Sequence, residues 1–348
     1  MTQVSAYATH SATDELKPFT ISRREVTEND VKIDIDYCGV CHSDIHTARN
    51  DWHGSQYPVV PGHEIVGRVS DVGSNVSTFK VGDVVGVGCM VDSCRTCSSC
   101  KEKLEQYCDN TIFTYNSKDP KHGDITYGGY SKQIVVDKDF VLQIPEHLDR
   151  KSVAPLLCAG ITTYSPLRHW KIKKGDRVGV IGLGGLGHMG IKMASAMGAH
   201  VTMITRSPSK GEDARMLGAD EVLLSSDEAQ MTKHANHFDF LLNTIPVTHD
   251  VNPYLYLLKR DATMVMVGVI GSIESSLDCI PLVAKRKVLA GSLIGGIAET
   301  QEMLDFCGEH NITSDVEMIN MADINNAYER MLKSDVKYRF VIDMKTLK

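Results

Sequence analysis

Four cysteines in the first third of the chain have a spacing that could bind a metal ion. Cys94, Cys97, Cys100 and Cys108 follow the pattern C-x2-C-x2-C-x7-C. Such short gaps allow thiolates from one loop to surround a tetrahedral zinc ion at Zn–S distances of about 2.3 Å. Four sulfurs complete the coordination of the metal, so this zinc would stabilise the loop and leave no position for a substrate.

Two other uses of four cysteines fit this loop less well. The ferredoxin-type iron–sulfur run of bacteria has a proline after its last cysteine, whereas Asp109 follows Cys108 here. Two disulfides would require an oxidising compartment. The spacing therefore favours structural zinc.

A second set of metal-ligating residues is spread over three distant segments. Cys41 lies in YCGVCHSDIH, His63 and Glu64 lie in PGHEIVG, and Cys158 lies in PLLCAGITTY. Two thiolates and one imidazole leave one zinc position open, which is the arrangement of catalytic zinc. The open position can hold a substrate oxygen, which the metal polarises as a Lewis acid. Taken singly, each residue would more often be an ordinary buried cysteine or a hydrogen-bonded histidine.

A glycine-rich motif predicts a dinucleotide-binding site. It follows the apolar strand RVGVI and precedes the amphipathic run GHMGIKMASAM. In this context the first glycine makes a tight turn, the second lets a pyrophosphate approach, and the third packs the helix on the strand. An ordinary glycine-rich turn is the alternative. The motif consists of Gly182, Leu183, Gly184, Gly185, Leu186 and Gly187.

The end of the next strand, AHVTMI, indicates which dinucleotide binds. An acidic residue there would accept hydrogen bonds from a ribose 2′-OH, but the chain continues with Thr205, Arg206 and Ser207, and with Lys210 after them. Arginine, lysine and hydroxyl groups suit a 2′-phosphate, which Arg206 can bind through two hydrogen bonds. Solvated surface charge is the alternative. The segment therefore favours NADP(H) over NAD(H).

The amino-acid composition excludes several classes of protein. The chain has 348 residues, of which 42% are hydrophobic and 23% charged, so two domains are expected. A net charge of -7 argues against a nucleic-acid partner. No stretch approaches the roughly 20 apolar residues of a membrane span, and the N-terminus lacks the pattern of a signal peptide. Ten cysteines without a secretory signal fit metal ligands and buried thiols, so we expect a cytoplasmic protein.

Two regions differ in their hydrophobic pattern. Short β-branched runs broken by glycine between about residues 30 and 145 predict an all-β lobe. From about residue 151, apolar strands alternate with helical stretches, which predicts a parallel sheet covered on both faces. The last fifty residues contain one more helical pattern, ADINNAYERMLKSD, and one more strand, YRFVIDM.

Together these motifs resemble the zinc-dependent medium-chain alcohol dehydrogenases over essentially the whole chain. The family signature G-H-E-x2-G-x5-G-x2-V is intact from Gly62 to Val76. The segments CGVCHSDIH, GVGCMVDSCRTCSSC, EQYCDNTIFTYN, GGYS, APLLCAGITTYSPL and YRFVIDM are most similar to the cinnamyl alcohol dehydrogenase subgroup. The resemblance implies a two-domain α/β fold, with a GroES-like β-rich catalytic domain at residues 1–152 and 296–348. A Rossmann domain with a doubly wound parallel sheet would occupy residues 153–295.

The resemblance also implies roles for the residues around the second metal set. Cys41, His63 and Cys158 would bind the catalytic zinc, and Glu64 would be the carboxylate beside them. Asp44 would orient the histidine ligand and fix its tautomer.

The implied chemistry is hydride transfer between nicotinamide and a carbonyl carbon whose oxygen is polarised by zinc. Ser43 and His46 would form the proton relay, for which an imidazole of ordinary pKa near 6.5 is suited. We expect two zinc ions per chain, one catalytic and one structural, together with NADP(H).

Further cofactor contacts are implied at positions that could equally serve packing. These are His42, Thr162, Thr244, Ile245, Val267, Gly268, Val269, Ser292, Ile294 and Arg339, in addition to the glycine motif and to Thr205, Arg206, Ser207 and Lys210. Arg339 would contact the pyrophosphate.

An apolar substrate pocket is implied as well. Its walls would be Trp52, Cys89, Met90, Phe113, Leu293 and Ile294. Plant members often have tryptophan in place of Phe113 and phenylalanine in place of Leu293. Few polar groups in such a pocket suit aromatic and medium-chain aldehydes and primary alcohols, so we expect broad specificity and no role in lignin synthesis.

Two alternatives differ in class from this interpretation. The first is an NAD-dependent polyol dehydrogenase of the same fold, which would need polar pocket residues. The second is a non-catalytic redox sensor that binds zinc and a dinucleotide, for which Ser43 and His46 would be unnecessary. We expect small-molecule substrates, no membrane partner, and a homodimer formed by the Rossmann domain through residues 279–296.

Overall fold

The β-branched runs of the N-terminal region form short strands in the computed structural model, which describes residues 1–123, 125–268, 273 and 276–348. Up to residue 158 the strands are β1 (Thr2–Ala8), β2 (Lys17–Arg23), β3 (Asp30–Gly39), β4 (Ile65–Val72), β5 (Val84–Val87), β6 (Met90–Asp92), β7 (Ile112–Phe113), β8 (Gln133–Asp137) and β9 (Leu142–Gln143). The α-helices of this part are α1 (His42–Ala48), α2 (Ser98–Lys101) and α3 (Arg150–Val153).

Strands and helices alternate in the middle of the chain, as the hydrophobic pattern predicts. The strands are β10 (Arg177–Ile181), β11 (His200–Thr205), β12 (Glu221–Leu224), β13 (Phe238–Asn243), β14 (Leu258–Met266) and β15 (Val288–Gly291). The helices are α4 (Ala159–His169), α5 (Gly187–Ala196), α6 (Gly211–Met216), α7 (Glu228–Lys233), α8 (Asn252–Leu255) and α9 (Cys279–Lys285). The predicted cofactor contact Val269 lies outside the described residues.

The C-terminal part contributes α10 (Ile297–His310), β16 (Val316–Asn320), α11 (Ile324–Leu332) and β17 (Arg339–Asp343). Strand β17 runs antiparallel to β3, so the end of the chain joins the sheet formed by the N-terminal region. That sheet has the order β16-β17-β3-β4-β5-β9, and β8 also pairs with β3.

The chain separates into two compact units, which we call the first unit (Met1–Cys158 and Gly295–Lys348) and the second unit (Ala159–Ile294). The divisions predicted from the sequence lie at 152/153 and 295/296. The short 3-10 segment Ala154–Leu157 lies in the first unit because it is buried against β3, β4 and β5.

A parallel sheet of order β12-β11-β10-β13-β14-β15 forms the second unit. Counted within the unit, this is the strand order 3-2-1-4-5-6 of the Rossmann fold. Strands β10 and β13 are central and almost entirely buried, with burial patterns that are continuous rather than alternating, as expected of a parallel sheet covered on both faces. The predicted α/β fold with a Rossmann sheet is confirmed. Within the described part of the chain, every helix is too short or too polar to cross a bilayer.

Candidate active site

Residues from three separate segments of the first unit converge at the end of β3. Cys41 precedes α1, His63 and Glu64 directly precede β4, and Cys158 follows the 3-10 segment Ala154–Leu157. One ligand atom from each of these four residues lies within 4.8 Å of the others. The structure therefore brings together the whole predicted catalytic zinc set, which we call the thiol–imidazole cluster.

The two thiols of this cluster form a hydrogen bond with each other. Their sulfurs are 3.9 Å apart, and the hydrogen bond between them holds the pKa of Cys41 well below its usual value while raising that of Cys158. A soft divalent cation would favour the thiolate form of both sulfurs.

Glu64 adds a carboxylate to the cluster. Its side chain is buried, and burial raises its pKa to about 8 although the nearby Arg339 opposes that shift. Its Oε2 has no hydrogen-bond partner among the described residues. Two sulfurs, one imidazole and an unpaired buried oxygen make a donor set that fits zinc.

Asp44 holds this region together through four hydrogen bonds. Its Oδ1 accepts from the backbone N–H of Gly62 at 3.0 Å and from Nδ1 of His63 at 3.2 Å. Its Oδ2 accepts from the backbone N–H of Cys41 at 2.9 Å and from the hydroxyl of Tyr130 at 3.2 Å. Burial lowers the pKa of His63, but the charge of Asp44 outweighs it and holds that pKa well above its ordinary value. With Nδ1 donating to Asp44, Nε2 is the nitrogen that would bind a metal ion in place of a proton.

Tyr130 was not among the predicted site residues. It lies in the GGYS segment, whose sequence gives no indication that the hydroxyl reaches Asp44. The side chain is fully buried, and the hydrogen bond connects residues separated by 86 positions.

The predicted proton relay lies on α1. Ser43 Oγ is 3.7 Å from the sulfur of Cys41, and His46 is three residues further along, on the same face of the helix. Nδ1 of His46 lies 2.8 Å from Oδ2 of Asp51, whose side chain is 48% exposed. Asp51, which was not among the predicted site residues, would therefore link the predicted relay to solvent.

Arg339 contacts Glu64 in this structure. The guanidinium group is 5% exposed; its Nη2 donates to the carbonyl oxygen of Val40 at 2.9 Å and to Oε1 of Glu64. Its predicted contact with a pyrophosphate stays a prediction.

The four-cysteine loop also assembles. The sulfurs of Cys94, Cys97, Cys100 and Cys108 lie within 4.8 Å of one another, and α2 begins directly after Cys97. Backbone N–H groups of Thr96 and Cys97 lower the pKa of Cys94 to about 6, which favours the thiolate that binds metal. All ten cysteines lie in the described part of the chain and are free thiols.

The glycine motif forms a tight turn between β10 and α5 in the second unit. Gly182 has a φ of +93°, which only glycine adopts readily. A Cβ on Gly187 would lie 1.9 Å from the carbonyl oxygen of Gly182, whereas a Cβ on Gly184 would have no atom within 4 Å. The turn is thus closed on one side and open at its middle glycine, as a bound pyrophosphate requires.

Basic and hydroxyl groups lie beside this turn at the end of β11. Nζ of Lys210 donates to the carbonyl oxygen of Leu183 at 3.0 Å. Arg206 is exposed, and the buried Thr205 accepts a hydrogen bond from the backbone N–H of Ser207 at 3.1 Å. A 2′-phosphate fits this set of donors better than a bare 2′-hydroxyl does.

Other predicted contacts divide between the two units. Thr244 Oγ1 donates to the carbonyl oxygen of Ile181 at 2.8 Å and so ties the end of β13 to the glycine turn. In the second unit, Ile245 follows β13, Val267 and Gly268 follow β14, Ser292, Leu293 and Ile294 follow β15, and Thr162 lies buried in α4.

In the first unit, the predicted pocket residues differ in exposure. Trp52 and Phe113 are 45% and 40% exposed, whereas Met90 is buried. Trp52 lies beside the relay, with its ring 5.1 Å from that of His46, whose other ring neighbour is His42 at 6.3 Å. Cys89 lies near the thiol–imidazole cluster, and a hydrogen bond with Cys158 lowers its pKa.

Two protein families match successive parts of the chain. Residues 27–146 match the family described as alcohol dehydrogenase GroES-like domain, and residues 185–309 match the family described as zinc-binding dehydrogenase.

Similar proteins span the whole chain. The chain is 56% identical to aldehyde reductase YahK of Escherichia coli K12, covering 99% of both chains. It is 54% identical to mannitol dehydrogenase of Petroselinum crispum, covering 94% of this chain and 98% of that protein. Among solved structures, CAD from Helicobacter pylori complexed with NADP(H) is 43% identical, covers 99% of both chains and superposes with a TM-score of 0.93.

Each metal cluster can be tested separately by counting zinc. Cys97→Ser should remove one zinc ion per chain and lower the melting temperature by several degrees, because the loop loses its metal crosslink. Cys158→Ser should remove the other zinc ion. Mass spectrometry of the metal content measures both, with the exposed Cys279→Ser as the control. A zinc content in Cys97→Ser equal to that of the unaltered protein would contradict the structural site.

Proposed function

Because the chain belongs to the zinc-dependent medium-chain alcohol dehydrogenases, in their cinnamyl alcohol dehydrogenase-like subgroup, we propose that it interconverts aromatic and medium-chain primary alcohols and aldehydes with NADP(H). The observation that carries this proposal is the thiol–imidazole cluster beside Ser43 and His46. Two sulfurs and one imidazole leave room in the coordination sphere for a substrate oxygen.

The donor atoms of each site indicate which residues would hold which cofactor. Cys41, His63 and Cys158 would hold the catalytic zinc, and the four-cysteine loop would hold the structural zinc. The glycine turn with Arg206 and Lys210 would hold NADP(H). When bound, the catalytic zinc supplies a Lewis acid for the substrate oxygen, and the nicotinamide exchanges a hydride with the substrate carbon.

The chain's own residues position the groups and move the proton. Asp44 fixes the orientation and tautomer of His63. Ser43 is the hydroxyl next to the cluster, and it exchanges the proton of the substrate oxygen. His46 carries that proton towards Asp51. The carboxylate of Asp51 lies beside Nδ1 of the imidazole and is partly exposed to solvent.

A polyol substrate is the second candidate, and one relative named mannitol dehydrogenase favours it. The side chains of Trp52 and Phe113 oppose it, because they expose mainly apolar surface and together have one hydrogen-bonding group, the indole N–H of Trp52. A polyol bound there would leave most of its hydroxyl groups without hydrogen bonds, which disfavours binding.

The first experiment compares oxidation of NADPH and NADH with cinnamaldehyde in zinc-replete protein, and oxidation of cinnamyl alcohol and mannitol with NADP. We expect NADPH-dependent turnover that chelation abolishes.

Arg206→Ala should raise the KM for NADPH about tenfold or more and leave that for NADH unchanged, because only NADPH has the 2′-phosphate. Equal effects on the two cofactors would contradict the role of Arg206, and preferred turnover of mannitol would favour the polyol candidate.

Asp51→Asn tests the relay. General acid–base groups contribute about 10²–10⁴-fold to rate, and Asp51 acts through His46, so we expect kcat to fall about tenfold with a small change in KM. The solvent isotope effect on kcat should increase, because proton transfer becomes slower. Asp14→Asn, an exposed carboxylate in the first unit, is the matched control. An unchanged kcat and isotope effect would exclude Asp51 from the relay.

We also propose that two copies associate through the second unit. Strand β15 ends the six-stranded sheet, so its outer edge offers unpaired backbone groups. On α9, Ile280 and Val283 are 71% and 82% exposed, and Val288 on β15 is 43% exposed, which is the apolar surface expected of an interface.

A cytoplasmic location is supported by the ten free thiols, because oxidising compartments favour disulfides.

Val283→Asp should convert the dimer to a monomer, because an interface would bury the added charge without a partner. Sedimentation velocity measures the change, and Met216→Asp on α6, at a methionine that is 74% exposed, is the matched control. A monomeric unaltered protein would contradict the proposed dimer.

A further inference from the structure

A third cluster of metal-ligating side chains lies in the second unit. Glu221 begins β12, His234 follows α7, and His237 directly precedes β13. One ligand atom from each lies within 4.8 Å of the others. The strands are parallel, so residues that begin them lie at the amino edge of the sheet, whereas the glycine turn follows the carboxyl end of β10.

The hydrogen bonds of His234 determine which ring nitrogen faces this cluster. Nδ1 lies 2.8 Å from the carbonyl oxygen of Gln230. A carbonyl only accepts hydrogen bonds, so Nδ1 carries the proton. Nε2 then faces Oε1 of Glu221 at 3.0 Å. An unprotonated imidazole nitrogen and a carboxylate oxygen are both acceptors, so this contact requires either a proton between the two atoms or a metal ion bound by both.

The distances suit a metal ion. Zinc binds imidazole nitrogen and carboxylate oxygen at about 2.0–2.2 Å in tetrahedral geometry, so two such ligands are about 3.4 Å apart. Nε2 and Oε1 are 3.0 Å apart, so a small side-chain movement would let both atoms bind one ion. The ring of His237, whose centroid is 5.0 Å from that of His234, offers a third ligand. A metal-bound histidine commonly donates its other N–H to a backbone carbonyl, as His234 does to Gln230.

Arg177 competes with a metal at His237. Its Nη1 lies 2.9 Å from Nδ1 and 2.7 Å from Nε2 of that ring. A guanidinium group is a permanent cation with donors only, so its charge would repel a bound ion. Arg177 is exposed and can move into solvent, but this competition weakens the site.

We propose that Glu221, His234 and His237 form a third, weak binding site for a divalent transition metal such as zinc. Imidazole with carboxylate suits Zn²⁺, Ni²⁺ and Cu²⁺ rather than Mg²⁺ or Ca²⁺. The ion connects the end of α7 to β12 and so stabilises the second unit. It lies at the opposite edge of the sheet from the glycine turn, so it leaves the affinity for NADP(H) unchanged.

Equilibrium dialysis of the full-length, zinc-replete protein against a series of free Zn²⁺ concentrations tests the site. Metal analysis of the dialysed protein should give one more zinc ion per chain for the unaltered protein than for His237→Ala or Glu221→Gln. Both variants leave the buried His234 in place. Arg177→Ala should fill the site at a several-fold lower zinc concentration. His200→Ala, at an exposed histidine that begins β11, is the matched control and should keep the full count.

Equal zinc counts in the unaltered protein and in His237→Ala would overturn the proposal and leave an imidazolium–carboxylate ion pair between His234 and Glu221. Thermal denaturation gives an independent measurement: added zinc should raise the melting temperature of the unaltered protein and not that of Glu221→Gln. A rise of the same size in both would also overturn it. Neither measurement depends on turnover, so a failure of this proposal can be distinguished from a failure of the proposed activity.

Discussion

The hydrogen bonds of the buried Asp44 carboxylate hold together the residues of the thiol–imidazole cluster and its surroundings. It accepts hydrogen bonds from the start of α1, from the turn before β4 and from the loop that carries Tyr130. A buried charge is costly unless its hydrogen-bonding capacity is filled, and here four donors fill it. The same bonds that make the carboxylate tolerable inside the protein fix the positions of Cys41 and His63. The hydrogen bonds that stabilise the buried charge are therefore also the ones that determine the geometry of the thiol–imidazole cluster.

The charges around Glu64 affect the same cluster. Arg339 provides a full positive charge to one carboxylate oxygen, while the other oxygen has no partner in the described part of the chain. Burial alone favours the neutral carboxyl group, and the arginine opposes it. A carboxylate that is held from one side only can respond to a change in charge at the neighbouring sulfurs. Burial and the negative charge of Cys41 raise the pKa of Glu64 to about 8 against the effect of Arg339, so the charge of this side chain depends on the charge of the sulfurs beside it.

Local spacing was enough to predict several parts of the molecule. The four cysteines of the loop lie within one short segment, and the glycine motif lies between a strand and a helix, so each pattern determines its own geometry. Asp51 could not be found in this way, because its pairing with His46 depends on how the chain turns after α1 ends. Tyr130 and Arg339 reach the site from distant strands and loops, and nothing in their local sequence indicates those contacts. The division after Cys158 also depends on packing, since the segment Ala154–Leu157 is buried against strands that precede it by many residues.

Strand β17 is among the last segments of the chain, yet it pairs with β3 and carries the arginine that contacts Glu64. During synthesis on the ribosome, the second unit is complete in the nascent chain well before β17 emerges. The first unit therefore has an open sheet edge beside β3, and Glu64 lacks its counterion, until β17 has been synthesised. The first unit begins before the second unit but can be completed only after it, and the surroundings of the thiol–imidazole cluster are completed with it.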